Sequence, residues 1–332
     1  MNNRNHPWAR RCMRAAWQLL LCSTGFVQAA PAMLTLAVAE VPHAATVLIA
    51  ESQGYFAAEG LALKVMHCAF GRICLQHLLD GQAHFATVAD TPIALASFTR
   101  KNFAVVATLA TTGSDIRLLA RRERGIRAAA DLKGKRIGTL KGTSAHYFTE
   151  TFLRFHNISL ADVSIVGLET GDEVGALARG SVDAAVLFDP HGAAALRELG
   201  NKVQSLPVPS FFSGTFNLVS VSAAAGASDA DVSKLLRAVR RADALMLAEP
   251  ARARRIVATA LKTDVAQLEI TLRDFDLRVH LAPPLLSSLE AQARWALRAG
   301  LAPTGSSAPD YLDFIRSAPL RQIDSRAVRL AE

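Results

Sequence analysis

The stretch DLKGKRIGTLKGTSAHY, residues 131–147, carries most of the information about the fold. A tight turn at Lys133-Gly134 precedes a short strand, and Gly142 then lets the backbone turn closely before a helix begins near Ser144. A strand that leads into a helix in this way is typical of layered α/β proteins. The first turn of such a helix leaves backbone N–H groups without intrahelical partners.

The free N–H groups near Thr143 and Ser144 have two interpretations. A helix N-terminus carries a partial positive charge, so these residues are candidates to hold an oxygen of a sulfonate, carboxylate, phosphate or nitrate. Alternatively, Thr143 or Ser144 only caps the helix, which is the commoner role of these residue types. Spacing alone leaves both interpretations open.

Around this stretch, short β-branched or apolar runs alternate with helical patterns, which predicts α/β layers with largely parallel strands. From Asp229 onward the helical patterns are separated by Pro, Gly and Ser, which predicts a helical C-terminal part. The predicted strands are residues 34–38, 63–67, 85–88, 104–109, 136–139, 163–166 and 184–187. The predicted helices are residues 44–56, 75–79, 91–100, 144–156, 193–199, 231–248, 250–261, 284–299 and 309–317.

Two extended runs, residues 114–121 and 210–221, are candidates for segments that cross between two modules. A middle module inserted into a discontinuous first module needs two such crossings. We therefore predict that lobe 1 comprises residues 33–119 plus 216–332, with the C-terminal helices, and that lobe 2 comprises residues 120–215.

The first 29 residues follow the plan of a secretory signal peptide, which predicts a periplasmic protein. Four arginines precede an apolar stretch of about 13 residues, too short for the roughly 20 of a membrane-spanning helix, and Ala29 and Ala30 follow. Apart from those four arginines, 33 basic residues stand against 29 acidic ones. Since the basic residues are scattered, we expect no nucleic-acid partner.

Once the signal peptide is removed, Cys68 and Cys74 are the only cysteines. In an oxidising compartment, two cysteines at this spacing could close a small loop through a disulfide. Two free or buried thiols are the alternative, because a bridge needs Cα atoms within about 7 Å and spacing does not establish that.

Several phrases resemble those of one family and occur in its order. They are GYFAAEGL (54–61), LDGQAHFATVADTP (79–92), the stretch at 131–147, VDAAVLFDP (182–190), and PDYLDFI with PLRQID (309–315 and 319–324). Together they resemble the periplasmic binding proteins of the nitrate/sulfonate/taurine ABC-transporter family. The resemblance implies an α/β, two-lobed type II periplasmic binding protein with C-terminal helices.

The function implied by this resemblance is the capture of a small anion such as a sulfonate, taurine or nitrate. The protein would be the solute-binding component of an ABC importer, a monomer that delivers the anion to permease and ATPase subunits. Residue Phe188 stands where the family frequently has tryptophan, which retains an aromatic wall but removes the indole N–H.

Ligands of open parallel sheets bind beyond the carboxyl ends of the strands, where helices begin. The loops at those positions supply most of the predicted ligand contacts, and the proposed hinge supplies the others. Each has a structural alternative: His43 could be an ordinary partly buried histidine, and Asp90 a plain helix cap. The predicted ligand-binding residues are Pro42, His43, Asp90, Thr91, Thr112, Gly142, Thr143, Ser144, Phe188, Asp189 and Thr215.

The sequence contains no Gly-x-Ser-x-Gly, P-loop, His-Glu-x-x-His or Cys-x-x-Cys motif. We therefore expect no catalysis, no cofactor and no metal site. The alternative is an enzyme on the same fold, of the sulfinate desulfinase or thiamine-pyrimidine synthase type. Cys68, with His67 or His77, is the only candidate nucleophile set for such an enzyme.

Overall fold

A computed structural model describes residues 33–113, 115–189, 191–208 and 212–330 of the chain. The predicted signal peptide, residues 1–29, lies outside these described residues. Two five-stranded sheets organise the described part. The strands are β1 (Leu34–Ala39), β2 (Leu63–Cys68), β3 (Phe85–Ala89), β4 (Phe103–Thr112), β5 (Ile116–Arg121), β6 (Arg136–Thr139), β7 (Ser164–Gly167), β8 (Ala184–Phe188), β9 (Val203–Leu206) and β10 (Gly214–Val221).

Each sheet is mostly parallel and contains one antiparallel strand. The first sheet has the order β2-β1-β3-β10-β4, and β10 runs antiparallel to both of its neighbours. The second has the order β7-β6-β8-β5-β9, and β5 is its antiparallel strand. Both antiparallel strands are the first strands formed after the chain has changed sheets. This arrangement confirms the predicted two-lobed α/β fold of the type II periplasmic binding proteins.

The chain passes between the sheets twice, between Thr112 and Ile116 and between Leu206 and Gly214. The first crossing comes a few residues before the predicted boundary at 119/120, because the whole of β5 pairs within the second sheet. The division of the chain into lobes at 119/120 and 215/216 stays a prediction.

Helices cover the faces of the sheets and form most of the C-terminal part. They are α1 (Ala45–Ser52), α2 (Tyr55–Ala58), α3 (Gly71–Leu79), α4 (Asp90–Ala96), α5 (Ser144–Phe155), α6 (Glu173–Arg179), α7 (His191–Leu199), α8 (Asp229–Ala248), α9 (Pro250–Ala260), α10 (Val265–Leu272), α11 (Pro283–Arg298) and α12 (Ala318–Ile323). Among the helices of the described ranges, none is long and apolar enough to span a membrane.

Two helix predictions were wrong, and three helices were not predicted. The predicted helix 44–56 is divided into α1 and α2, because Gly54 adopts a left-handed conformation with φ 67° between them. Residues 309–317 do not form a helix: a 3-10 turn, Tyr311–Phe314, ends where Ile315 forms a bridge to Val105 of β4. Helices α6, α10 and α12 were not predicted.

The second sheet is buried on both faces. Leu118 and Leu119 are consecutive in β5, so their side chains point to opposite faces of the sheet, and each belongs to a different apolar cluster. Phe148 and Phe152 of α5 pack in the cluster that contains Leu118. Helix α5 is therefore fixed against the sheet along its length, and its first residues are held at the sheet edge that faces lobe 1.

Candidate ligand-binding cleft

A cavity of about 520 Å³ lies between the two sheets, within the range of about 300–1,000 Å³ typical of small-molecule sites. Loops at the carboxyl ends of parallel strands line it from both lobes, as expected for sheets of this kind. Representative lining residues are Pro42 after β1, Phe70 after β2, Asp90 after β3, Thr143 after β6, Thr170 after β7 and Phe188 at the end of β8.

The N-terminus of α5 opens into this cavity at Thr143 and Ser144. The Thr143 hydroxyl is used within the turn, since it donates to the Leu140 carbonyl oxygen at 2.7 Å and accepts from the Ala145 N–H at 3.2 Å. Thr143 is therefore a helix cap. The backbone N–H groups of Thr143 and Ser144 have no acceptor among the described residues, so they remain available to an anion in the cavity.

The Ser144 hydroxyl joins the two lobes. It accepts a hydrogen bond of 3.2 Å from the hydroxyl of Thr91, the second residue of α4. Both side chains belong to buried residues. Helices α4 and α5, which begin at facing edges of the two sheets, therefore meet at the side of the cavity.

Asp90 is a buried structural carboxylate. It is 1% exposed and accepts hydrogen bonds from the N–H of Thr91 at 2.9 Å, the N–H of Thr215 at 3.0 Å and the hydroxyl of Ser288 at 2.6 Å. Burial raises the pKa of Asp90, while the hydrogen bonds from Ser288 and Thr215 act in the opposite direction. These contacts tie α4 to α11 and to the start of β10, where the chain re-enters the first sheet.

His43 and Asp115 form a second link between the lobes. The His43 Nε2 atom lies 2.9 Å from Asp115 Oδ2, and Asp115 lies in the first crossing between β4 and β5. The imidazole packs against Phe216 and Phe275, with ring centroids 5.2 and 4.7 Å away. Its Nδ1 atom is buried and has no partner among the described residues.

The Asp189 carboxylate accepts hydrogen bonds from within its own lobe. Its two carboxylate oxygens each accept a hydrogen bond of 2.6 Å from Arg117, and Oδ1 also accepts from the N–H of Ala193 in the first turn of α7. The hydrogen bonds with Asp189 raise the pKa of Arg117. This bidentate geometry is the strongest form of an arginine–carboxylate pair.

Two cations line the cavity without an acidic partner in the described part of the chain. Arg72 lies in the first turn of α3, and Lys262 lies in the turn between α9 and α10 with a left-handed φ of 51°. Both side chains are exposed. They add positive potential beside the α5 N-terminus, which favours an anionic ligand.

Nine of the eleven predicted ligand-binding residues line this cavity. Thr91 does not line it but hydrogen-bonds to Ser144, and Gly142, at φ 73°, forms the turn before the α5 cap. Whether any of them contacts a ligand stays a prediction. The nine are Pro42, His43, Asp90, Thr112, Thr143, Ser144, Phe188, Asp189 and Thr215.

Sequence reasoning missed two walls of the cavity. The first is the start of α3, residues 69–72, which was hidden because the predicted helix began at residue 75. A glycine after a strand was the available signal: a Cβ at Gly71 would lie 2.8 Å from Val88 Cα, so only glycine fits there. The second wall is residues 260–263 with Gln267, Leu268 and Thr271, for which the sequence offers no signal.

Cys68 and Cys74 do not line the cavity. Both are buried, free thiols in this structure. A hydrogen bond with Cys74 lowers the pKa of Cys68, whereas burial raises that of Cys74. The disulfide between them stays a prediction for the oxidised protein.

The two lobes and the cleft between them define the class of the protein as a type II periplasmic binding fold. Within that class, the chain belongs to the NMT1/THI5-like family, whose family model matches residues 41–253. Among the described residues, no group of three or more His, Cys, Asp or Glu side chains is placed to hold a metal ion.

The chain is similar in sequence to putative binding proteins. A putative binding protein of Brucella abortus is 26% identical over 230 residues, which cover 67% of this chain and 69% of that protein. A putative aliphatic sulfonates-binding protein of Escherichia coli is 35% identical over 78 residues, 24% of each chain.

Solved structures share the fold over most of the chain. The alkanesulfonate-binding protein SsuA of Xanthomonas axonopodis pv. citri, bound to MOPS, has a TM-score of 0.70 and 22% identity and covers 82% of this chain and 95% of that one. The aliphatic sulphonate-binding SsuA of E. coli has a TM-score of 0.73 and 18% identity, over 86% and 98%. A mutant of DszB with biphenyl-2-sulfinic acid has a TM-score of 0.68 and 17% identity, over 89% and 99%.

Proposed function

We propose that this protein is the solute-binding component of an ABC importer and captures a small anion such as a sulfonate, taurine or nitrate. The observation that carries the proposal is the free N-terminus of α5 in a cleft between two lobes. The N–H groups of Thr143 and Ser144 have no acceptor among the described residues, although both residues line a cavity large enough for a ligand. An anion supplies the acceptor that these donors lack.

The charges around the cavity support an anionic ligand. The buried carboxylates of Asp115 and Asp189 are each held by a basic side chain, His43 and Arg117. The cations of Arg72 and Lys262 have no acidic partner in the described ranges. These two cations and the N–H groups at the start of α5 are donors, which suits an anion.

The position of the cavity supports a capture mechanism. Hydrogen bonds cross between the lobes at its side, from Thr91 to Ser144, and near its mouth, from Arg197 of α7 to Gln267 of α10 at 2.6 Å. A ligand that contacts both lobes adds to these contacts and favours the closed arrangement. Delivery to permease and ATPase subunits, action as a monomer and a periplasmic location directed by residues 1–29 belong to the same proposal.

A thermal-shift panel tests the proposal on the purified protein without its signal peptide. Sulfonates, taurine, nitrate and aromatic carboxylates are each added well above the micromolar range. A ligand that binds only the folded state raises the melting temperature. At a hundredfold excess over its Kd, it adds about 2.7 kcal/mol to the free energy of unfolding. No shift with any member of the panel contradicts the proposal.

The alternative, an enzyme of the sulfinate desulfinase or thiamine-pyrimidine synthase type, needs a reactive group at the ligand. Cys68 is 4% exposed and lies outside the cavity. Alkylation of the thiols, followed by a binding measurement and an assay for sulfinate turnover, distinguishes the two functions. Retained anion binding without turnover supports the binding protein, whereas turnover that alkylation abolishes supports the enzyme.

A further inference from the structure

The cavity is much larger than a small anion, and apolar side chains supply much of its lining. Its volume of about 520 Å³ holds many water molecules when no ligand is bound. A nitrate ion or a sulfonate head group at the N-terminus of α5 fills only a small fraction of this volume. The remaining space must be filled by the rest of the ligand or by water.

Aromatic side chains line the cavity, and they come from both lobes. Phe70 and Phe216 belong to the first sheet and its loops, whereas Phe188 ends β8 of the second sheet. Phe212 lies in the second crossing. The Phe70 ring also faces His191 across the cleft, with ring centroids 6.3 Å apart. Flat apolar walls on opposite sides of a cleft favour a planar ring, because ring faces and edges pack well against one another.

The C-terminal helices close the cavity with further apolar groups. Ala260 and Leu261 at the end of α9 and Leu268 of α10 line it opposite the strand ends. An apolar ligand body buried here gains roughly 25 cal/mol per Å² of surface removed from water. A small anion gains nothing from these walls.

The carboxylates also exclude one kind of ligand. An ammonium group taken out of water needs an acceptor to offset the loss of hydration. Asp90, Asp115 and Asp189 line the cavity, but each already accepts hydrogen bonds or an ion pair from the protein. The fourth lining carboxylate, Glu40, is exposed beside His67, with its Oε1 atom 3.8 Å from His67 Nδ1. Among the described residues, each carboxylate that lines the interior thus already has a partner in the protein, and none stands free for the amine of an amino sulfonate such as taurine.

From these observations we infer that the ligand is an anion with an uncharged aromatic body, an arylsulfonate or arylcarboxylate, and not nitrate or taurine. Its acidic group contacts the N-terminus of α5, and its ring lies between Phe70 and Phe188. The inference rests on the proposed function and specifies the ligand of that same site.

Isothermal titration calorimetry with sulfonates that share one head group tests the inference. The probes are methanesulfonate, taurine, benzenesulfonate and naphthalene-2-sulfonate. We expect affinity to rise along the aromatic series, with naphthalene-2-sulfonate about 100-fold tighter than methanesulfonate, and taurine no tighter than methanesulfonate. Methanesulfonate or taurine binding as tightly as the aryl probes overturns the inference and leaves the proposed function standing. Failure of every anion to bind rejects both.

Variants of one phenylalanine locate the ring. Phe188→Ala is expected to weaken naphthalene-2-sulfonate about 10-fold, and Phe188→Trp to retain affinity, because an indole restores the flat wall. Phe155→Ala is the matched control, since Phe155 is 56% exposed on α5 and does not line the cavity. Equal affinities for Phe188→Ala and Phe155→Ala overturn the placement of the ring. A melting curve for each variant establishes that it is folded.

Discussion

Gly113 and Phe212 bring the two crossings between the sheets into direct contact. A Cβ atom at Gly113 would lie 2.5 Å from the Phe212 carbonyl oxygen, closer than any real Cβ contact. Gly113 follows the end of β4, and Phe212 precedes β10, so both segments that connect the lobes pass through this point. The absence of a side chain at residue 113 is what lets the two backbones approach.

The contact predicts that Gly113→Ala destabilises the protein. The obstructing atom belongs to the backbone and cannot rotate away, so we expect a loss of about 1–3 kcal/mol in the free energy of unfolding. Gly214→Ala is the control, because a Cβ there would meet the Phe212 ring at 3.8 Å and Asp90 Oδ2 at 3.9 Å, both ordinary van der Waals contacts. Urea denaturation measures both variants, and equal losses would show that the approach at Gly113 is not tight.

The hydrogen bond between Trp295 and Glu150 should couple the two lobes energetically behind the cleft. The indole Nε1–H of Trp295 in α11 donates to Glu150 Oε2 in α5 at 2.8 Å, and Trp295 is 1% exposed. A double-mutant cycle with Trp295→Phe and Glu150→Gln is expected to give a coupling energy of about 0.5–3 kcal/mol. The single variant Trp295→Phe should cost at least about 1 kcal/mol, because it leaves a buried carboxylate oxygen without its donor. Additive effects of the two changes would exclude the link.

The lowered pKa of Asp183 should make the stability of lobe 2 sensitive to acid. Burial raises its pKa, but hydrogen bonds from Arg136 and the charge of Arg124 outweigh burial and lower the pKa to about 2. A carboxyl group whose pKa is lowered by folding stabilises the fold at pH values above its pKa in the unfolded chain, about 3.9. This contribution is lost as the pH falls toward 2. We expect about 2 kcal/mol from this group at neutral pH.

The Asp183→Asn variant checks this pH dependence. Its free energy of unfolding should be lower than that of the unchanged protein at pH 7, and the difference should shrink between pH 4 and pH 2. Asp162→Asn is the control, since the Asp162 side chain is 45% exposed and 3.8 Å from Lys133. A difference that stays constant down to pH 2 would contradict the prediction.

Arg72 and Lys262 should make the association rate of the ligand depend on salt concentration. Replacing both by glutamine removes the two lining cations that lack acidic partners in the described ranges. We expect the association rate of a bound anion to fall several-fold at low salt, with the difference from the unchanged protein disappearing at high salt. Stopped-flow measurements across ionic strengths test this, with Arg326→Gln, 94% exposed and outside this cavity, as the control.

Local sequence signals predicted where helix α5 begins. Gly142 and the Thr-Ser pair that follows it indicated the start of the helix, which begins at Ser144. The strand ends and the proposed hinge supplied the nine predicted residues that line one cavity. Turn, cap and strand-end positions can be located in this way because their chemistry depends on neighbours in the sequence.

Tertiary contacts account for what the sequence did not predict. The turn at 260–263 lines the cavity only because α9 and α10 fold back onto the first lobe, and nothing in its residues indicates a ligand. Asp90 was predicted as a ligand contact, yet its carboxylate is occupied by Thr215 and Ser288, which are more than 120 residues away along the chain. Such partners are set by packing between distant segments.

Binding of an anion at the N-terminus of α5 is central to the proposed function, and the Ser144→Asp variant tests it. An acidic residue in the first turn of a helix suits the helix dipole, so the variant should fold. Its carboxylate occupies the position of the ligand's acidic group and repels that group. Ser159→Asp is the control, because Ser159 caps an exposed 3-10 turn outside the cavity and aspartate caps equally well. Calorimetric titration with naphthalene-2-sulfonate should show affinity at least about 100-fold weaker for Ser144→Asp, or about 2.7 kcal/mol, and unchanged for Ser159→Asp. Affinity of a folded Ser144→Asp variant within twofold of the unchanged protein would contradict the account.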